Sequence, residues 1–256
     1  MPEGRWRQSE APRPLLLALW LRRVGYPEAW ALQRRLLAAR QAGECGDVLL
    51  LLEHPPVYTC GRRTGPDQLR VPAHLLPAPL HEVDRGGGIT FHGPGQVVAY
   101  LVMDLRAWRT DVQSYLRALE EVVLRTLGHY GLRGERIDGL TGVWLGGEKV
   151  ASIGVKLSRW CTMHGLALNV ATDPSWFRPI VPCGIADRGI TSMHLHLQAC
   201  PPLEEVAATM AREAGAVFGR DVQYRRVEGG PSAAWGLLGQ VFAQERSHAG
   251  GSRPQG

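Results

Sequence analysis

The sequence predicts an α/β (α+β) fold: one domain on a mixed sheet with flanking helices. Two observations carry this. Short, wholly apolar runs at residues 15–21 and 48–52 suit strands buried on both faces. Stretches with apolar residues at three- and four-residue steps suit amphipathic helices. A third observation, the absence of a strict strand–helix–strand rhythm, argues against a purely parallel sheet. With 256 residues, 45% of them hydrophobic, the chain can bury one substantial core. A single catalytic domain is expected over residues 14–246. The ends, residues 1–13 and 247–256, are polar and rich in Gly, Pro, Ser and Arg, and are expected to be disordered.

Taken in order, residues 15–21 read as a first buried strand, ended by Arg22 and Arg23. Arginines precede this run as they would a secretion signal, but Glu3 and Glu10 sit among them and no small-residue cleavage site follows. No uninterrupted apolar run reaches the length of a membrane span, so no membrane association is expected. Tyr26-Pro27 opens a helix, proline being tolerated in the first turn, and Trp30, Gln33, Leu36 and Leu37 follow at helical spacing. The strand at 48–52 is stopped by His54-Pro55-Pro56, because proline cannot donate to a ladder; His54 is thereby placed at a sheet end, where sites often lie. Residues 96–105 read as a second buried strand. Asp111 can cap a helix whose stripe is Val112, Tyr115, Leu116, Leu119, Val122, Val123 and Leu127. Residues 142–157 read as a hairpin about Gly146-Gly147, residues 166–170 as a strand, and 203–218 and 233–244 as helices. No internal repeat is present.

Five cysteines at unrelated spacings, without a C-x-x-C pair, exclude a disulfide framework and fit a reducing compartment. Cys161 with His164, and His194 with His196, each lack further ligands at a useful spacing, so no metal site is expected. The formal charge of +5 comes from arginine, the only lysines being Lys149 and Lys156. It fits either a solvated basic surface or a docking face for an acidic protein. No basic run with interleaved aromatics points to nucleic acid. No phosphate-binding loop signature occurs.

The glycines gather instead in the segment from Arg85 to Gln96. Glycine lets backbone approach a ligand closely. Within it Ile89 and Phe91 alternate with Thr90 and His92, so one side is expected to line an apolar pocket while the other is polar. The bland alternative is a glycine-rich connection with no ligand. Cys183 lies in Val181-Pro182-Cys183-Gly184, where Pro182 fixes one backbone angle and Gly184 frees the next. A thiol there can be held and approached, although a buried, inert cysteine is the usual case. A reactive thiol needs a base or a cation nearby; His92, His164, Lys149 and Lys156 are the candidates.

These segments together resemble the lipoyl(octanoyl) transferase family, the octanoyltransferases of lipoate biosynthesis. The resemblance spans residues 26–197 and rests on four stretches in the family's order. They are His54-Pro55-Pro56-Val57-Tyr58-Thr59; Arg85-Gly86-Gly87 through His92-Gly93-Pro94-Gly95-Gln96; Gly147-Glu148-Lys149-Val150-Ala151-Ser152-Ile153-Gly154 with His164-Gly165-Leu166-Ala167-Leu168-Asn169; and Pro182-Cys183-Gly184. The resemblance implies a fold shared with biotin and lipoate protein ligases. It implies an octanoyl group passed from acyl carrier protein to Cys183 and on to a lysine of a lipoyl domain, either of a 2-oxoacid dehydrogenase complex or of the glycine cleavage H protein. It implies Lys149 as the partner of the nucleophile. It also implies acyl contacts from Arg85, Gly86, Gly87, Gly88, Ile89, Thr90, Phe91 and His92, from Ser152, Ile153 and Gly154, and from Gly165, Leu166 and Ala167.

Cys60 departs from the family's apolar choice after Tyr58-Thr59, and residues 185–192 follow the family only loosely. No cofactor is expected, since a thioester is already activated. The cytoplasm is the expected compartment, or the mitochondrion if the source is eukaryotic. The competing readings are an ATP-dependent lipoate ligase, a cysteine thioesterase and a non-catalytic acyl-binding protein. Between the lysines, strand parity offers a choice. Lys149 and Lys156 are seven positions apart on one expected strand, so a regular strand sends them to opposite faces, with Lys156 at a solvated surface.

Overall fold

The computed structural model describes residues 13–184 and 188–250. In chain order it contains β1 (Leu15–Arg23), α1 (Tyr26–Ala42), β2 (Asp47–Glu53), β3 (Val57–Cys60), β4 (Leu80–Glu82), β5 (Ile89–His92) and β6 (Gln96–Val102). Then follow α2 (Val112–His129), β7 (Val143–Leu145), β8 (Glu148–Ser158), β9 (Cys161–Asn169), α3 (Leu203–Phe218), β10 (Asp221–Arg226) and α4 (Gly230–Gly250). Short 3-10 turns fill several of the connections.

The apolar runs of β1 and β2 become neighbouring parallel strands, and α1 makes the crossover that a parallel pair requires. Pro27 sits in the first turn of α1, and Gly43, at φ 75°, ends it in the left-handed conformation. The main sheet runs β10-β1-β2-β6-β9-β8-β7. Its first three strands are parallel and the rest antiparallel, a mixed sheet as expected. Alternate residues of β6 show why both faces are apolar. Val97, Ala99 and Leu101 join the core under α2 and α3, while Val98, Tyr100 and Val102 join the core under α1 and α4. The Asp111 carboxylate accepts from the Ser114 amide and caps α2.

A second sheet, β4-β3-β5, lies against the α1 side of the first. It has its own small core of Tyr58, Ile89 and Phe91 with Phe177 and Ile180, and Phe91 stacks on Trp176 at 5.0 Å. This sheet, and the polar edge strand β10, were not expected from the sequence. Strand β9 begins five residues earlier than the apolar run at 166–170 suggests. Helix α4 continues to Gly250, into the segment read as a tail. The expected leader, apart from Arg13, and residues 251–256 lie outside the described residues.

One buried ionic group ties three of these elements together. Asp47, at the start of β2, accepts from Arg40 Nε of α1 and from Arg220 Nε before β10, each at 2.9 Å. Asp47 and Arg220 are both buried. Removing the carboxylate strands a buried guanidinium, so Asp47→Ala is expected to cost about 3–5 kcal/mol. Urea unfolding at neutral pH measures it, and a loss under about 1 kcal/mol would mean that the network is not coupled to folding.

Candidate active site

The two sheets meet over a narrow pocket whose cavity is about 20 Å³. Its walls come from five places: Tyr26 of α1, the β5 side with Arg85, Thr90 and His92, Tyr100 of β6, Ser152, Ile153 and Gly154 of β8, and His164, Gly165, Leu166 and Ala167 of β9. Segments far apart in sequence thus converge, because β8 and β9 are paired partners (Gly154 opposite Gly165) while β5 covers them from the second sheet. Of the residues expected around an acyl chain, Gly87 and Gly88 line an adjoining cleft that shares Ile153 with the pocket. Ile89 and Phe91 turn the other way, into the small sheet's core. The alternation in β5 is real, but its polar side, Thr90 and His92, faces the pocket. Gly86 supports it through a bond from its amide to Val155 O at 2.8 Å.

The glycine-rich loop is held by the buried Arg85 guanidinium. It donates to Gly86 O, Gly88 O, Thr59 O and Thr59 Oγ1 at 2.7–3.0 Å. Gly154 is required where this loop crosses β8: a Cβ there would lie 2.9 Å from Gly86 O. Gly87, at φ 86°, makes the turn itself.

His92 and His164 line the pocket and His54 packs behind His92 and Tyr100, and burial is the main force on each. It brings His54 and His164 down to about 4 and, helped by the neighbouring His54, His92 to about 3. All are neutral at pH 7. Val24 O can only accept, so His54 Nδ1 carries the proton and the Tyr100 hydroxyl donates to Nε2 at 2.8 Å. His164 donates from Nε2 to Asp84, while its buried Nδ1 has no partner among the described residues. Lys156 binds the other oxygen of Asp84. Burial raises that carboxyl, but the bonds from Lys156 and His164 outweigh it and bring Asp84 to about 2.

Lys156 is therefore an ion-pair partner beside the pocket rather than a free surface lysine. The parity argument also fails. The register between β7 and β8 shifts at Val150, a bulge, so Lys149 pairs directly with Trp144. Trp144 lies between Val143 and Leu145, which face α2, and so points to the opposite face. Lys149 shares that face, and so does Lys156, two-residue steps away from Gly154 and Ser152. The bulge inserts the one residue that strand parity cannot absorb.

Lys149 is 3% exposed, with Nζ 5.3 Å from the centre of the Trp144 ring. A Cβ on Gly142 would lie 3.2 Å from Nζ, so the ammonium rests against that backbone. Among the described residues no carboxylate pairs with it. The segment that follows Cys183 runs alongside: Lys149 N donates to Gly189 O, and Thr191 N to Lys149 O, at 2.9 and 3.0 Å. Residues Pro182–Gly184 form a single turn in which Gly184, at φ 73°, donates to Val181 O. Gln68 anchors the turn. Its backbone carbonyl accepts from Val181 N, and its side chain accepts from Ile89 N at the start of β5. The other four thiols, Cys45, Cys60, Cys161 and Cys200, are all pushed up by burial, Cys45 to about 11. Sequence reasoning missed Tyr26, Tyr100, Asp84 and Gln68; only the His54-Pro55-Pro56 stop hinted at this place, where the rings of Tyr26, His54, His92 and Tyr100 pack together.

The model of the lipoyl protein ligase A/B catalytic domain matches residues 25–215. The chain belongs to this family. It is 49% identical over 201 residues to an octanoyltransferase of Chloroflexus aggregans, covering 76% of this chain and 91% of that protein. It is 46% identical over 212 residues to one of Synechococcus elongatus, covering 80% and 90%. Among solved structures, lipoate-protein ligase A bound with ATP superposes with TM-score 0.67 at 14% identity, over 91% of this chain and 95% of that one. The biotin protein ligase of Aquifex aeolicus does so with 0.51 at 14%, over 79% and 70%. Those two likenesses concern the fold.

The buried histidines give the domain a pH-dependent stability whose sign is fixed. Their folded values lie below the unfolded 6.5, so the unfolded chain binds more protons as the pH falls. Stability is expected to be flat in this respect above about 6.5 and to decline from there towards 4. Urea midpoints at pH 7.5 and 5.0 test this; a midpoint that rises on acidification would show that these imidazoles are charged in the fold.

Proposed function

We propose that this chain is an octanoyltransferase of lipoate biosynthesis: an acyltransferase that carries octanoyl as a thioester on Cys183. The observation that supports this best is the convergence of Thr90 and His92, Ser152–Gly154 and Gly165–Ala167 on one narrow pocket, in a chain whose relatives are octanoyltransferases. The donor in this reading is octanoyl-acyl carrier protein. The acceptor is a lysine of a lipoyl domain, in 2-oxoacid dehydrogenase complexes or the glycine cleavage H protein. The cytoplasm is the compartment that fits bacterial relatives; no helix among the described residues is long and apolar enough to cross a membrane.

The chemistry follows from the groups present. The Cys183 thiol gives its proton to a neutral Lys149, and the thiolate attacks the donor thioester carbon. The C–S bond to the carrier breaks, and the carrier thiolate takes up the proton. The neutral amine of the acceptor lysine then attacks the acyl-enzyme, the bond to Cys183 breaks, an amide forms, and the amine's proton passes by way of Lys149 to the Cys183 thiolate. Once protonated, Lys149, with which no carboxylate pairs among the described residues, supplies a cation for the Cys183 thiolate. The thioester supplies the activation, so no nucleotide takes part. Water in place of the amine would give a thioesterase, which the same assay without a lipoyl domain would reveal.

Intact mass after mixing with octanoyl thioester should show one octanoyl adduct, retained in Cys60→Ala and absent in Cys183→Ala. The converse pattern would remove Cys183 from the mechanism. Transfer should need neither ATP nor magnesium, and an absolute ATP requirement with free octanoate would favour the ligase. Lys149→Arg keeps a charge but cannot act as a base, and is expected to lose about a hundredfold or more in transfer rate. Lys156→Arg retains the Asp84 ion pair and should change little.

A further inference from the structure

A line of buried amides runs from the pocket to the back of the Cys183 connection. His92 Nδ1 and Gln96 Oε1 are 2.8 Å apart, Gln96 Nε2 and Asn169 Oδ1 2.9 Å, and Asn169 Nδ2 and Thr191 O 3.0 Å. His92, Gln96, Asn169 and Thr191 are each at least nine-tenths buried. The direction of every bond follows from its far end. The Thr191 carbonyl can only accept, so Asn169 must turn its NH2 towards it and its oxygen towards Gln96. Gln96 must then offer its NH2 to Asn169; a second bond from that NH2, to Phe91 O at 3.3 Å, agrees. Its oxygen is left for His92, whose Nδ1 therefore bears the proton and whose Nε2 does not.

The far end of this line is where the nucleophile's connection is tied down. Strand β9 ends at Asn169, and residues 189–191 take its place beside Lys149, as a parallel bridge between Lys149 and Ile190. Thr191 is thus fixed twice: its amide donates to Lys149 O and its carbonyl accepts from Asn169. Its hydroxyl meets His196 Nε2 at 2.9 Å.

We propose that Gln96 and Asn169 are positioning residues. They lock His92 in the pocket as its Nδ1–H tautomer, and they clamp the segment after Cys183 against the strand that carries Lys149. The reacting groups and the acyl pocket are thereby set by one directional chain. The inference rests on the octanoyl-transfer reading for its kinetic consequence, though its structural half does not. His92 is neutral in this setting because it is fully desolvated and faces His54, Arg85 and His164 rather than a carboxylate.

The first test is made on unliganded protein labelled with 15N-histidine, His92 being assigned by its loss in His92→Gln. Long-range proton–nitrogen correlations at pH 7 should show His92 protonated at Nδ1 only. Protonation at Nε2, or at both nitrogens, overturns the chain. The second test uses Asn169→Leu and Asn169→Asp, each checked for folding by its thermal midpoint. Neither can donate to Thr191 O, although the aspartate can still accept from Gln96. In both, the rate of Cys183 acylation at saturating octanoyl thioester should fall about tenfold or more, with KM within about twofold of wild type, because Asn169 itself does not line the pocket. Wild-type rates in a folded Asn169→Leu protein, or rescue by aspartate, would overturn the clamp. A wild-type protein that forms no octanoyl adduct at all would instead count against the transfer reading, and the tautomer measurement would still judge the chain of amides.

Discussion

The contact on which the site depends is the buried Arg85 guanidinium and its ring of acceptors. A charge taken out of water is costly unless its donors are met, and here Gly86 O, Gly88 O, Thr59 O and Thr59 Oγ1 meet them. Two acceptors belong to the glycine-rich loop and two to β3, so the charge can be satisfied only when the loop is folded back on the small sheet. The loop in turn donates from Gly86 to Val155 O of β8. One side chain therefore joins the second sheet to the first, and the pocket is the space their joining leaves. Gly154 permits the approach, since any Cβ there would press on Gly86 O.

Burial then sets the chemistry. The same exclusion of water that holds the imidazoles of His54, His92 and His164 neutral keeps the Tyr26 and Tyr100 hydroxyls protonated by raising them. The pocket wall thus holds neutral imidazoles and hydroxyls, and its one charge among the described residues, that of Arg85, is met by carbonyls and the Thr59 hydroxyl, which suits a wall beside an acyl chain. The other charged groups stand to either side: Lys156 paired with Asp84, and Lys149 against Trp144. Since a lipoate-protein ligase A bound with ATP shares this fold, a fold by itself does not fix an activity, which lies in the residues of the site. In the proposed reading those residues are Lys149 and Cys183.

Much of the main sheet was legible in the sequence, because burial on both faces writes itself as an uninterrupted apolar run, as at Leu49–Leu52 of β2. The Asp111 cap and the turn at Gly146-Gly147 were legible because local hydrogen bonding and positive φ demand particular residues. The second sheet was not. Its strands have three or four residues, too few to show a period, and the core they cover is assembled from Phe177 and Ile180, far along the chain. For the same reason Ile89 and Phe91 looked like pocket walls: alternation says that two sides differ, but not which one faces a ligand. The bulge at Val150 left no mark in the sequence, and it put both lysines on one face. Gln96 and Asn169 stood in plain view within family-like segments, yet an amide's partner is a matter of three dimensions.

The central claim is that the acyl chain on Cys183 occupies the space between the two sheets. A crystal structure of the wild-type protein trapped with an octanoyl thioester, in the absence of acceptor, tests it most directly. The octanoyl chain should run from residue 183 between Ser152–Gly154 and Gly165–Ala167 on one side and Thr90 and His92 on the other. A chain bound instead in the apolar groove between α1 and α4, lined by Leu36, Cys45, Trp235 and Phe242, or one left in solvent with this pocket empty, would contradict it.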